Sequence, residues 1–173
     1  MPDPIVSADA GILPPGERPP FTVRQAAVGD APVLAALRSA LFLELGQGPP
    51  PEGPATFEGL AAEAFATGLQ RAHCHAWLAE PELGPSIGSA ALLIFPRLPT
   101  PEVPGQTEGY LVSVYTVPAW RHRGVASTLV AAAVTKAREL GLARIRLHAT
   151  PEGRRVYAAM GFGLRDNAME LRL

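Results

Sequence analysis

One segment of the chain combines residue type and spacing in a way that points to anion chemistry. Within SVYTVPAWRHRGVASTLV, residues 113–130, an alternating apolar run stops at Pro118. Gly124 follows six residues later, and a helical pattern begins beside it. Glycine lets the backbone turn tightly and approach a ligand with no side chain in the way. Ala126 keeps the next contact small. The first N–H groups of a helix lack intrahelical partners, and the helix dipole makes that end positive. Together these features make an anion site. Arg121, His122 and Arg123 add cationic donors beside it, and a pyrophosphate is the expected guest.

Two other groupings carry titratable side chains. His73, Cys74 and His75 look at first like a metal cluster. They fall at the head of a strand pattern, where successive side chains point to opposite faces. His73 and His75 then share a face that Cys74 does not, no fourth ligand accompanies them, and no metal is expected. His148 follows Arg144 and Arg146 on one alternating face, facing either solvent or an acceptor site. Neither the GxxxxGK[ST] phosphate loop nor the GxGxxG dinucleotide fingerprint is present, which argues against a nucleotide-binding domain.

A length of 173 residues suits one domain. A net charge of -1 and a pI near 6.4 lack the basic footprint of a nucleic-acid binder. Arg and Lys are nevertheless dense between Arg121 and Arg155. In a near-neutral chain that points to a small anionic ligand, with solvated helix faces accounting for the remainder. Cys74 is the single cysteine, so no internal disulfide can form, as expected of a reducing cytoplasm. No apolar run reaches the roughly 18 residues of a membrane span. No basic region followed by an apolar core marks a secretory signal. Neither a nucleic-acid nor a membrane partner is expected.

The elements that must position this chemistry follow from periodicity. Residues 1–20 hold six prolines and few large apolar groups, which predicts a flexible leader before a single domain over 21–173. A strand is expected from Phe21. Asp30 is a helix cap with Pro32 in its first turn, and Leu34, Leu37, Leu41 and Leu45 recur at helical spacing up to Gly46. A second helix over 56–70 follows a loop. Strands are predicted at 74–80, 86–95 and 108–117, with Trp77 inside the sheet. The helix over 126–140 has the clearest apolar face, with Leu129, Val130, Ala133 and Ala137, and Gly141 supplies its left-handed cap. Further elements are a strand over 143–149, a helix opened by Thr150 and Pro151, and a last strand over 168–173. Trp120 is expected to pack under the loop. The order β-α-α-β-β-β-α-β-α-β belongs to the mixed α/β class.

Arg121-x-x-Gly124-x-Ala126 resembles the [QR]-x-x-G-x-[GA] motif of the GCN5-related N-acetyltransferase (GNAT) superfamily. It stands after a strand ending in V-x-P and before a helix, as in that family. Tyr157-Ala158-Ala159-Met160-Gly161-Phe162 is similar to the family's Y-x-x-x-G-F element. The resemblance covers about residues 21–173. It implies a mixed, mostly antiparallel sheet splayed at the cofactor strand and flanked by about four helices.

The resemblance also implies roles. The backbone amides from His122 through Ser127, Val125 and Ala126 included, would hold the pyrophosphate of acetyl-coenzyme A. Val114, Tyr115 and Thr116 would pair with its pantetheine arm at a bulge, and one of their amides would polarise the acetyl carbonyl. Tyr157 would protonate the departing thiolate. Some relatives carry a Glu base on the strand before the loop, where this chain has Tyr110, with Glu108 two residues earlier. Glu108, Glu44 and Glu80 are the candidate bases. Ser113 has no assigned role.

The implied activity is acetyl transfer from acetyl-CoA to a primary amine, small or on a protein, by a monomer or homodimer. A non-catalytic acetyl-CoA sensor of the same fold is the alternative. The acceptor would be set by the connection 41–57, the loop 96–107 and residues 161–167. Their low charge argues against a polycation, which would want an acidic cleft richer than Glu44, Glu52 and Glu58 provide.

Overall fold

The structure is a computed structural model that describes residues 20–47, 54–165 and 171. The expected leader over 1–20 and last strand over 168–173 lie almost wholly outside the described residues.

Among the described residues five strands form one sheet in chain order: β1 (Phe21–Gln25), β2 (Cys74–Pro81), β3 (Gly88–Pro96), β4 (Thr107–Thr116) and β5 (Ile145–Arg146). The first four are antiparallel, and β4 to β5 is parallel. Two helices, α1 (Ala31–Glu44) and α2 (Pro54–Gln70), cover one face. Helix α3 (Val125–Glu139) covers the other, and α4 (Arg154–Ala159) carries Val156 and Tyr157 against the same core.

Both faces of the sheet are therefore buried, which explains the near-continuous apolar runs of β2 and β3. Leu129, Val130 and Ala133 of α3 pack with Trp77, Leu92 and Leu111. On the other face Leu34, Leu37 and Phe65 pack with Leu78, Ala91 and Tyr115. Gly88 marks a close approach of layers. A Cβ there would lie 2.7 Å from the Tyr115 carbonyl oxygen and 3.0 Å from Val125.

Most expected elements are present with small boundary shifts, and three local expectations are corrected. Asp30 precedes α1 but makes no side-chain cap. Its carboxylate instead accepts from the Ala27 N–H at 2.8 Å and pairs with Arg24 at 2.7 Å. Thr150 Oγ1 does accept the Gly153 N–H, at 3.1 Å, but it closes a turn, and α4 starts only at Arg154. Of the strand expected over 143–149, Ile145 and Arg146 alone are strand. They pair with Gly109 and Tyr110, after which the two chains part. The alternation along 143–149 is real, because Ile145 and Leu147 pack on the core while Arg144, Arg146 and His148 are exposed. Alternation reports two environments, not a hydrogen-bonded neighbour.

Helix α3 ends as its sequence indicates. Gly141 has φ 65°, its N–H reaches the Arg138 carbonyl, and the Leu142 N–H reaches that of Ala137 at 2.9 Å.

Candidate active site

The site is built at the parting of β4 and β5. Ser89 pairs with Tyr115 and Ala91 with Val112, so Ser113 and Val114 together oppose Ala90. That extra residue is a β-bulge. Ser113 adopts φ 53°, a left-handed conformation uncommon outside glycine. Two contacts hold it there: its carbonyl accepts from Ser89 Oγ at 3.1 Å, and its own Oγ accepts from Arg38 Nη1 of α1 at 2.7 Å.

The bulge changes which residues face the parted edge. Before it, the Gly109 N–H donates toward the β5 side, to the Arg144 carbonyl at 2.9 Å. After it, the Val117 N–H donates the other way, to Ile87 beside β3, at 2.9 Å. Strand residues alternate in the direction of their backbone groups. Tyr115 thus faces β3, and Val114 and Thr116 face the edge that β5 has left. Thr116 Oγ1 is buried and has no hydrogen-bond partner among the described residues. The Thr116 carbonyl accepts from Arg121 Nε at 3.1 Å.

From Thr116 the chain passes through a 3-10 turn (Pro118–Trp120) into the glycine loop. His122 and Gly124 both have positive φ, 60° and 79°. Gly124 is the N-cap of α3 without a capping side chain. The N–H groups of Val125, Ala126 and Ser127 open the helix and have no intrahelical acceptor. Arg123 lies over the Trp120 ring at 5.2 Å, and Trp120 packs on the core beneath the loop.

Arg121 has a role that its position in the motif does not suggest. Its guanidinium is turned back into the protein, toward the Thr116 carbonyl and the Glu44 carboxylate. Glu44 also accepts from the Tyr115 hydroxyl at 2.6 Å. The Tyr115 hydroxyl and Arg121 hold the Glu44 carboxyl below its ordinary range. Burial, then the Glu44 hydrogen bond, pushes the Tyr115 phenol up to about 12. Among the loop side chains, Arg123 and His122 remain beside the helix terminus.

Tyr157 of α4 is half-buried, with its ring edge-on to Phe162 at 5.9 Å. Burial raises its pKa, so it is a protonated phenol at neutral pH. Glu108 stands at the head of β4, about 20 Å along the strand from Val114 at a rise of about 3.3 Å per residue. Three guanidiniums surround it: Arg144 at 2.6 Å, Arg146 at 2.9 Å and Arg97 at 3.4 Å. Although burial opposes this, the Arg144 and Arg146 contacts hold its pKa below the ordinary value. Glu80 is paired with Arg24 at 2.9 Å. Tyr110 and His148 face each other through Oη and Nδ1 where β4 and β5 part.

Cys74 is buried, while His73 lies outside β2 and is exposed. Among the described residues no group of three His, Cys, Asp or Glu side chains is gathered to hold a metal ion.

On the α1–α2 side of the sheet, a cavity of about 760 Å³ opens beside the bulge. Phe65, Cys74, Leu93, Phe95, Val112 and Arg38 contribute to its wall. Sequence reasoning missed both Arg38 and Ser113, because the contact between them spans 75 residues and requires the bulge.

Comparison with known proteins agrees with this architecture. The model of the acetyltransferase (GNAT) family matches residues 40–162. A predicted acetyltransferase from Clostridium acetobutylicum, solved with acetyl-CoA, superposes with a TM-score of 0.79 at 26% identity, over 88% of this chain and 96% of that one. A GCN5-related N-acetyltransferase from Ralstonia eutropha gives 0.77 at 25% identity, over 88% and 98%. An aminoglycoside N-acetyltransferase in complex with coenzyme A gives 0.70 at 22% identity, over 94% and 99%, a likeness of fold alone. No curated protein matches the chain in sequence. A mixed sheet parted at β4, a bulge before the parted edge, and a glycine-capped helix after it are thus joined to a family match over most of the molecule: the chain belongs to the acetyltransferase (GNAT) family.

Proposed function

We propose that this protein is an N-acetyltransferase that passes the acetyl group of acetyl-CoA directly to a primary amine while both are bound. The observation that carries this reading is the parted edge of β4, whose backbone runs from the Ser113 bulge to the N-terminus of α3. The backbone facing that edge is a ready partner for the amides of a pantetheine arm. The N–H groups of Gly124, Val125, Ala126 and Ser127, with Arg123 and His122 nearby, suit the pyrophosphate. Acetyl-CoA-bound and CoA-bound structures of the same fold support acetyl-CoA as the cosubstrate.

In this reading the Val114 N–H polarises the thioester carbonyl and then holds the oxyanion. The amine nitrogen bonds to the carbonyl carbon, the carbon–sulfur bond breaks, and Tyr157 gives its phenolic proton to the thiolate. Burial keeps that proton in place until sulfur needs it. Glu108 serves as an anchor for the arginines of β5 and Arg97, because its carboxylate is occupied. The proton released by the amine passes to solvent through the Tyr110 and His148 pair, the titratable groups at the parting of the strands. No metal takes part. No helix among the described residues is long and apolar enough to cross a membrane, and a lone buried Cys74 is at ease in a reducing cytoplasm.

Two measurements test the reading. Acetyl-CoA should bind with micromolar affinity by calorimetry, and a panel of amines should release free coenzyme A. Tyr157→Phe should keep the affinity and lose turnover. Confirmed binding with no thiol release from any amine would overturn the enzymatic reading.

A further inference from the structure

Arg38 is placed unlike the arginines that form ion pairs. It is half-buried in α1, against the bulge that orders the site, and it contributes to the wall of the 760 Å³ cavity. Arg24, Arg97, Arg121, Arg144 and Arg146 each pair with a carboxylate. Arg38 makes no ion pair among the described residues. Its partners are the neutral Ser113 Oγ, at 2.7 Å, and the Phe42 ring, at 4.7 Å. Loss of solvation lowers its pKa, which is the signature of a charge taken from water without compensation. A guanidinium has five N–H donors in a planar fork suited to a carboxylate, and these contacts leave most of them unused.

The rest of the cavity is mostly apolar, with His73 and Thr107 also on its wall. Phe65, Leu93, Phe95 and Val112 supply carbon surface, and the Cys74 thiol, raised to about 11 by burial, stays neutral. No acidic side chain lines it among the described residues. A cavity of this kind favours an apolar body and disfavours a second cation.

Building on the acetyltransferase reading, we infer that the acceptor is an apolar α-amino acid whose side chain fills this cavity and whose carboxylate pairs with Arg38. The geometry selects the α-amine. Arg38 touches Ser113, and Val114, next in the chain, presents the N–H assigned to the acetyl carbonyl. A carboxylate held by Arg38 would leave its α-amine one carbon away, beside the bulge that precedes Val114. The α-nitrogen bonds to the acetyl carbon and loses one proton. The thioester carbon–sulfur bond breaks, and sulfur takes one proton. The products are an N-acetyl amino acid and coenzyme A.

The test uses the full chain with acetyl-CoA and measures coenzyme A release. Acceptors are L-leucine and L-phenylalanine, their carboxamides, and lysine, a polyamine and an aminoglycoside. The free acids should exceed their amides in kcat/KM by about tenfold or more, as expected for a charge-assisted pair. Arg38→Met should erase that ratio even where loosening of the bulge lowers both rates, and Arg38→Lys should restore part of it. A merely structural Arg38 would lower both rates together and leave the ratio intact, which would overturn the proposal. Equal rates for acid and amide in the unaltered protein would do so without any variant. Turnover of the polyamine or aminoglycoside but not of the amino acids would overturn it and leave the acetyltransferase reading standing. Release from no acceptor, with acetyl-CoA bound, would remove both.

Discussion

Arg121 opens the glycine loop and Glu44 closes α1, and the two form an ion pair across 77 positions of sequence. With the Tyr115 hydroxyl on the same carboxylate, the pair ties the loop to a helix on the other side of β4. Arg121→Ala or Glu44→Ala should weaken acetyl-CoA binding by about twofold to fivefold, the range of a partly exposed ion pair. Calorimetry on both single variants and the double variant checks this. Non-additive losses are expected, because each removal leaves the same bridge broken.

The bulge is a second point of leverage. Ser113→Val places a β-branched residue at φ 53° and removes the acceptor for Arg38. A loss of about 2 kcal/mol or more is expected from strain and an unmet buried donor. Turnover should fall further than stability, since the parity of β4 sets which N–H groups face the parted edge. Thermal melts and thiol release, measured on the same samples, separate the two effects.

Thr116 offers the opposite sign. Its buried Oγ1 has no partner among the described residues. Thr116→Val keeps the shape and removes a desolvated hydroxyl, so the unliganded protein should gain about 1 kcal/mol. Denaturant titration reads this directly.

Gly88 separates three surfaces. A methyl group there would press on the Tyr115 carbonyl, Val125 and Leu129 at 2.7, 3.0 and 3.2 Å. Gly88→Ala should cost about 1 to 3 kcal/mol, as overpacking does, and is expected as a lower melting temperature.

Acid should loosen the β1–α1 corner first. The Arg24 hydrogen bonds hold Asp30 at about 2, against an ordinary 3.8. A carboxyl depressed on folding adds stability above its unfolded value and loses it as pH falls from about 4 toward 2. Asp30→Asn should melt lower than the unaltered protein at pH 7 and converge with it near pH 2. Glu44 and Glu108 are shifted in the same direction, so all three contribute to the acid limb.

These features differ in how far the sequence shows them. Helix α3, its Gly124 entry and its Gly141 exit follow from local rules about periodicity and positive φ, and each stands where it is expected. Glu108 looks like a free acid along the chain, and only the structure shows the three arginines around it. Arg121 reads as a ligand donor along the chain, and only the structure shows its ion pair with Glu44. The bulge at Ser113 has no signal of its own, because serine is unremarkable in a strand and the partner that holds it lies in α1. Local chemistry is legible, and pairings across the sheet are not.

The brevity of β5 has one more consequence. An open strand edge is an invitation to foreign strands, yet this one lies inside the fold, between β4 and the departing chain. Acetyl-CoA would complete the sheet there as a non-peptide strand. Newly made protein would then gain its last row of backbone hydrogen bonds from a metabolite, and its melting temperature would track the supply of that metabolite. Amide exchange at Val114 and Thr116 would slow on binding while the β2–β3 ladder stayed unchanged.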